Sequence, residues 1–286
     1  MICIVVLNYN DSDTTIKFVQ QIINYSIIDK IIVVDNASND NSYSKLLPLS
    51  CAKVDILETQ KNGGYGYGNN FGIKYAVQKY HATQIIVSNP DVEVSENTIL
   101  HCKEVIEKRR CALVAPMMKN HDQTVNYQCV WKVPTRNQYR LFSTYFLGKI
   151  TQSFYYNENE LKSTSVEKLV GCVAGSFFMV NANKMLDYGM FDENIFLFCE
   201  ETVLGLKLKK ENQEVVVLLN DYFIHHHSVS INKSITSIVK QRKITWKSRL
   251  YVLENYYSSN RVDLLIDRIV SKLELMEFNI KHILKR

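Results

Sequence analysis

The first 116 residues alternate between short apolar runs and stretches of helical spacing, and few architectures accept that rhythm. The runs lie at residues 2–7, 30–35, 54–57, 84–87 and 112–115 and are rich in Ile and Val. Apolar runs without polar alternation predict strands buried on both faces. Between them, residues 13–25 put Ile16, Val19, Ile22 and Ile23 on one side of a helix, with Ser12 or Asp13 as its N-cap. Residues 65–80 gather Phe71, Ile73, Ala76 and Val77 in the same way, and residues 95–109 open a helix on Ser95-Glu-Asn-Thr. Strands alternating with helices predict an α/β fold, a mostly parallel sheet with helices on both faces.

After Pro116 the rhythm stops. Residues 117–165 are polar, aromatic and irregular, which predicts a substrate-facing excursion. Order is expected again at 168–180, in a helix over 201–210, in a strand over 214–219, and in two helices from Ser234 broken near Ser258-Ser259-Asn260. Of the 286 residues 46% are hydrophobic and 22% charged, a globular balance that excludes global disorder. No apolar run reaches the ~18 residues of a transmembrane helix. Residues 1–7 are apolar but lack a basic leader and run into Asn8, which predicts a strand and not a signal peptide. Seven cysteines, odd in number and without a CxxC, predict reduced thiols of a cytoplasmic protein, several filling the core.

Charge is unevenly spread. Residues 231–286 carry 12 Lys and Arg against 5 Asp and Glu, a net +7, whereas the remaining residues carry 22 against 24, a net −2. Two explanations stand for this basic tail: a solvated helical surface, or contact with something anionic. No nucleic-acid motif or aromatic stacking pattern is present, so nucleic acid is not the expected partner. The mixture of Lys240, Arg242, Lys243, Trp246, Lys247, Arg249, Tyr256 and Tyr257 predicts peripheral contact with an anionic membrane face, with a homodimer contact as the competing explanation.

In open α/β sheets ligands bind beyond the carboxyl ends of the strands. There the chain carries Asn8-Tyr9-Asn10, Asp35-Asn36-Ala37-Ser38 and Asn89-Pro90-Asp91. A lone Asp after a strand is commonly a turn residue; three polar clusters on one sheet edge favour a site. The glycines of Asn62-Gly-Gly-Tyr-Gly-Tyr-Gly-Asn-Asn70 let backbone N–H groups approach a phosphate. A dinucleotide dehydrogenase needs GxGxxG directly after the first strand; this segment has neither that spacing nor that place.

These motifs, in this order, resemble the family 2 glycosyltransferases of GT-A fold. The resemblance rests on Asn8-Tyr9-Asn10, Val33-Val-Asp-Asn-Ala-Ser38, Asn62-x-Gly-Tyr-Gly-x-Gly-Asn-Asn-x-Gly-Ile73 and Ser88-Asn-Pro-Asp91. It continues through Gly171-x-x-Ala-Gly-Ser176, Gly189-x-Phe-Asp-Glu193, Phe196-x-Phe-x-Glu-Glu201 and His225-x-x-Ser228. It covers residues 1–230, divided into a nucleotide-binding half, 1–116, and an acceptor-binding half, 117–230; residues 231–286 form a basic helical extension. The subgroup it points to is the rhamnosyltransferase-like enzymes of bacterial polysaccharide assembly.

The resemblance implies roles for particular residues. Asn8, Tyr9, Asn10, Asp35, Asn36, Gly64, Asn69, Asn70 and Asn89 would surround the donor nucleotide, with Asp35 on base or ribose. Asp91 matches the last acid of the family's DxD motif, here Asn89-Pro90-Asp91, and with His225 would hold Mn²⁺ or Mg²⁺ on the donor diphosphate. His227 is an alternative to His225. Glu201 would be the catalytic base, with Glu200 a second candidate; it stands where the family has aspartate, and Val203 stands where it has a second acid. Trp131, Gly175 and Ser176 would face the acceptor, and Tyr139, Tyr145 and Phe146 either stack on sugar rings or pack. The implied reaction is an inverting transfer from a UDP- or dTDP-sugar to a saccharide acceptor, often lipid-linked in bacterial relatives. The competing functions are a catalytically silent sugar-nucleotide-binding module and a membrane-recruiting subunit. A nucleotidyltransferase would place a basic Gly-rich loop after the first strand, where this chain has Asn-Tyr-Asn.

Overall fold

The computed structural model describes residues 1–142, 144, 154–162, 165–226, 237–257 and 260–284. The N-terminal half follows the expected alternation: β1 (Ile2–Asn8), α1 (Ser12–Ile22), β2 (Lys30–Asp35), the short α2 (Ser42–Leu46), β3 (Val54–Glu58), α3 (Tyr65–Tyr80) and β4 (Gln84–Ser88). One detail differs. The N-cap of α1 is Asp11, which makes no side-chain cap bond, and not Ser12 or Asp13. A three-residue strand, β5 (Val92–Val94), precedes α4 (Glu96–Arg109), whose cap Ser95 accepts from the Thr98 amide at 3.0 Å.

Beyond α4 come β6 (Leu113–Asn120), β7 (Val130–Trp131), α5 (Arg136–Leu141) and α6 (Glu158–Leu161). The stretch expected as one ordered piece at 168–180 is three strands: β8 (Glu167–Val170), β9 (Cys172–Val173) and β10 (Phe177–Asn181). Then follow α7 (Ala182–Lys184), α8 (Glu200–Lys210), β11 (Val215–His225), α9 (Ile238–Tyr256) and α10 (Arg261–Leu284).

The main sheet runs β3-β2-β1-β4-β10-β6-β11-β5, with β8 also on β11. Strands β3, β2, β1 and β4 are all parallel. β10 enters antiparallel between β4 and β6, and β6 pairs with β11 in parallel. The central strands are sealed: Ile4, Val5, Val33, Ile86, Val114, Phe177 and Val216 are fully buried between helices. β11 is longer than expected because it slips register between Leu218 and Tyr222 and continues past the polar Asn220-Asp221. That continuation carries His225 to the edge strand β5, opposite Val92.

The last two helices dock on the body. Val252 and Leu253 of α9 form a second core with Tyr139, Ile195 and Val203. Several tail residues expected on a surface turn inward: Arg249 is buried, Tyr256 donates to Asp192 at 2.6 Å, and Tyr257 donates to the Pro134 carbonyl at 3.0 Å. Lys240, Lys243 and Lys247 stay exposed. No helix among the described residues is long and apolar enough to cross a membrane.

Candidate active site

The three strand ends meet as one edge. Parallel pairing sets Asn8 opposite Asp35. Asp35 is fully buried; Asn8 Nδ2 donates to its Oδ1 at 2.6 Å, Ser38 Oγ to the same oxygen at 2.7 Å, and the Ser38 amide to Oδ2 at 3.0 Å. Thr15 Oγ1 donates to Asn8 Oδ1 at 2.8 Å. Asn10, in the left-handed region at φ 54°, donates its amide to Ser38 Oγ at 2.9 Å and exchanges bonds with Asn39. Tyr9 lies half-buried between Asn8 and Asn10. This floor is hydrogen-bonded before any ligand arrives, which fixes the side chains above it.

Asn36 ties the floor to the glycine segment, donating to Asn62 Oδ1 at 3.1 Å and to the Gly64 carbonyl at 3.0 Å. Gly64 sits at φ +93°, and a side chain there would fall on the Phe196 carbonyl. Only glycine meets both demands. The same carbonyl accepts from the Tyr65 amide at 3.0 Å, so the start of α3 is pinned to the loop ahead of α8. Asn69 donates to the Tyr65 carbonyl at 3.0 Å. The Asn70 amide is engaged by residues 191–193: Nδ2 donates to Phe191 O and Glu193 Oε1, both at 2.9 Å, and Oδ1 accepts from the Phe191 amide at 3.0 Å.

Asp91 and His225 stand 134 positions apart in sequence, yet Asp91 Oδ1 lies 3.2 Å from His225 Nε2, brought there by the β5–β11 pairing. One carboxylate beside one imidazole fits a hard divalent cation whose remaining ligands are phosphate oxygens and water. It does not make an all-protein cage, and no cluster of three His, Cys, Asp or Glu forms one among the described residues. The neighbouring His226 is engaged elsewhere, with His121 Nδ1 at 2.8 Å and Glu93 at 3.5 Å. His227, Tyr145 and Phe146 lie outside the described residues.

Glu200 and Glu201 open α8, where the helix dipole favours anions. The chain reaches them through two successive left-handed non-glycine residues, Phe198 at φ 69° and Cys199 at φ 79°. Such conformations cost ~1–3 kcal/mol each and persist only where the surroundings hold them. Ser248 of α9 supplies one tie, donating to the Leu197 carbonyl at 2.8 Å. Burial pushes the Glu200 carboxyl well above its ordinary range, and the charge of Glu201 pushes it further. Burial also raises Glu201; its own backbone N–H and that of Gly175 partly hold it down. The Cys199 thiol is pushed up to about 12, chiefly by burial, so it is no nucleophile at neutral pH.

A single stretch of backbone joins the two halves of the site. The Asn89 amide donates to the Ser176 carbonyl at 2.8 Å, and the Gly175 amide donates to Glu201 Oε1 at 3.3 Å. The Ser176 hydroxyl itself is turned to Met118 Sδ at 3.8 Å. Tyr65, which stands in the glycine motif with no role implied for it there, donates to the Gly175 carbonyl at 2.5 Å. Burial, then the charges of Glu201 and Glu200, push its phenol well above the ordinary value. The Trp131 ring lies 6.2 Å from that of Tyr155, whose phenol is raised by burial and then by Glu201.

An open α/β sheet that holds buried acids and amides at its strand ends, tied through residues 175 and 176 to a glutamate on a second segment, has the form of a ligand site with a carboxylate at its side. The sequence profile described as Glycosyl transferase family 2 matches residues 3–183, and the chain belongs to that family. It is similar to the low-salt glycan biosynthesis hexosyltransferase Agl10 of Haloferax volcanii, 23% identical over 73% of this chain and 62% of that protein's own length. It is similar to rhamnosyltransferase WbbL of Escherichia coli, 24% identical over 73% of this chain and 76% of the relative. The N-acetylglucosaminyl-diphospho-decaprenol L-rhamnosyltransferase of Mycobacterium tuberculosis is 24% identical over 71% of this chain and 68% of its own. These relatives make the chain rhamnosyltransferase-like. Among solved structures, the mannosyltransferase PcManGT of Pyrobaculum calidifontis, in complex with GDP-Man and Mn²⁺, superposes with a TM-score of 0.57 at 11% identity, covering 96% of this chain and 69% of that one. That likeness shows the GT-A fold.

Proposed function

We propose that this protein is an inverting glycosyltransferase, moving a sugar from a UDP- or dTDP-linked donor to a saccharide acceptor carried on a lipid diphosphate, in bacterial cell-surface polysaccharide synthesis at the cytoplasmic side. The observation that carries the reading is the backbone path Asn89–Ser176–Gly175–Glu201, which couples a strand-end donor pocket to one half-buried carboxylate. The lipid-linked acceptor is supported by the mycobacterial relative named for a decaprenol substrate.

In this reading the donor nucleotide lies over Asn8, Tyr9, Asn10, Asp35 and Asn36, along the segment from Gly64 to Asn70. Glu201 Oε takes the proton from an acceptor hydroxyl; the oxygen attacks the anomeric carbon, and the bond to the diphosphate breaks, its electron pair leaving with the nucleotide. Attack opposite the leaving group inverts that carbon, and no enzyme nucleophile is needed. Asp91 and His225 would hold Mn²⁺ or Mg²⁺, which when bound would neutralise charge on the departing diphosphate. Trp131 and Gly175 flank the acceptor, and burial and the charge of Glu201 favour the protonated form of Glu200 beside the base.

Thermal unfolding of wild type and Asp91→Ala with UDP, dTDP or GDP, each with and without Mn²⁺, tests the donor assignment. A ligand at ~100 times its Kd adds ~2.7 kcal/mol, a shift of several degrees. The expected result is that one diphosphate raises the midpoint only with Mn²⁺ and that Asp91→Ala abolishes the effect. If no nucleotide shifts wild type, the donor site is wrong and the recruiting-subunit reading replaces it.

A further inference from the structure

Helix α10 is amphipathic the wrong way round for a helix docked on a body. Its inward face carries Asp267, Ser271 and Glu274, all buried. Arg136 and Arg140 of α5 bind Asp267, the latter from Nε at 2.5 Å, and Arg242 and Arg249 of α9 bind Glu274. These pairs fix the rotation of the helix. Its outward face is apolar: Val262, Ile266, Ile269, Leu273, Met276 and Ile280 are between 38% and 64% exposed. A contiguous stripe of this kind marks an interaction surface.

The spacing of the stripe is informative. Its members follow one another at steps of four, three, four, three and four residues, the alternation of a two-helix seam. An isolated surface helix that only meets lipid needs no such strict 3.5-residue period. Charge on the two borders separates the occupants further. Arg268, which pairs with Glu254 at 2.9 Å, and exposed Lys272 lie along one border; Asp263, which pairs with Arg140 at 3.1 Å, and the half-buried Glu277 lie along the other. An anionic membrane favours basic residues on both borders. A second copy of the same helix favours opposite signs. In a parallel pair, the residue just before a seam position faces the residue five further along on the other helix, so Lys272 meets the second copy's Glu277. The same offset sets Leu265 against Val270. An antiparallel pair would bring like borders together.

We propose that α10 is a self-association surface: two copies of this chain pair through parallel α10 helices, with residues 262–280 forming an in-register seam. At 1.5 Å per residue the seam is ~27 Å long. A parallel twofold pair sets the two catalytic bodies on opposite sides of the seam and level with each other along it. The inference is independent of the donor and acceptor assignments.

Sedimentation equilibrium of the full chain over a range of concentrations is the test. Wild type is expected to show a reversible monomer–dimer equilibrium. Leu273→Lys, on an exposed position, is expected to be monomeric and to melt as wild type does at concentrations where wild type is itself monomeric. Lys272→Glu and Glu277→Lys are each expected to weaken the dimer several-fold, and the double swap to restore it. Met276→Cys is expected to oxidise to a symmetric disulfide dimer, because a seam residue meets its own copy only in a parallel pair. A wild type that is monomeric throughout overturns the proposal. So does a monomer that co-sediments with phosphatidylglycerol–phosphatidylethanolamine vesicles through the stripe, which would give the face to a membrane. A dimer that the double swap fails to restore, with no Met276→Cys disulfide, overturns the parallel register.

Discussion

Two adjacent carboxylates begin α8, and burial acts on each. Glu200 is 4% exposed, and its Oε1 has no hydrogen-bond partner among the described residues. Its folded pKa lies well above the ordinary 4.5 of the unfolded chain. Between those two values the folded protein holds a proton that the unfolded chain has released. Stability therefore falls as pH rises through that window, at ~1.4 kcal/mol per pH unit. Glu200→Gln removes the penalty, so its melting temperature is expected to exceed that of wild type at pH 8 and to equal it at pH 4. An equal gain at both would mean that the charge is not the cause. Glu201 makes the complementary demand, since a base must be ionised. Its raised pKa sets the acid limb of kcat/KM above the usual carboxylate range, and activity is lost as pH falls through it. A pH–rate profile flat down to pH 4 would contradict this. Glu201→Gln is expected to lower transfer ~10²–10⁴-fold, the usual worth of a general base, with the nucleotide-induced thermal shift unchanged.

At the scale of elements, α8 owes its position to a missing side chain. A Cβ on Gly205 would lie 2.6 Å from the Gly171 carbonyl oxygen and strike the Cys172 sulfur. Helix and β9 therefore meet at backbone distance, and Gly205→Ala must push them apart. Overpacking of this kind costs ~1–3 kcal/mol. The variant is expected to melt several degrees lower in a thermal scan and to transfer sugar more slowly, because α8 carries Glu201. Unchanged rate and stability would show that the helix tolerates the shift. The sequence exposes some elements better than others. α3 spans the same residues in pattern and structure because Ile73, Ala76 and the glycine loop before it are local signals, although Phe71, expected on the same face, is exposed. β5 was invisible, since Val92-Glu-Val94 is too short to show a period and exists only by pairing with β11. β11 looked finished at Leu219 because its continuation past Asn220 depends on a register slip against β6. The candidate site divides the same way. Residues at strand ends were legible, because their place follows from strand order. The hold of Asn70 on residues 191–193 and of Tyr65 on Gly175 spans more than 100 positions and leaves no local pattern.

Across the whole molecule, contacts run from the C-terminal helices back to the active site. Asp267 is fully buried and bound by Arg136 and Arg140, and Arg249 binds Glu274 while donating to the Tyr139 carbonyl at 2.8 Å. From α9, Tyr251 and Tyr256 donate to Asp192 at 2.9 and 2.6 Å. Burial pushes Asp192 up, but those phenols and Asn194 outweigh it and hold the carboxyl below its ordinary value. Asp192 sits between Phe191 and Glu193, the two residues that bind the Asn70 amide. The basic excess of the C-terminal segment thus serves in part to clamp acids inside the fold. Removing one member of a buried pair strands its partners and costs ~3–5 kcal/mol, more than the pair contributes over an apolar alternative. Asp267→Ala leaves two guanidiniums facing a void, with Asp263 at 3.1 Å from Arg140 and two neutral acceptors, Asn137 Oδ1 and the Tyr257 carbonyl, beside them. That loss is expected to be local at first. Hydrogen exchange should show α10 and α5 losing protection while β1, β2 and β4 keep theirs, and α9 should follow to the extent that α10 holds it through Arg249. Loss of protection spread evenly over the sheet would mean that the C-terminal helices and the body unfold as one unit. A drop in transfer rate before any change in the sheet would place the Asp192–Asn70 contacts on the route by which the C-terminal helices steady the site.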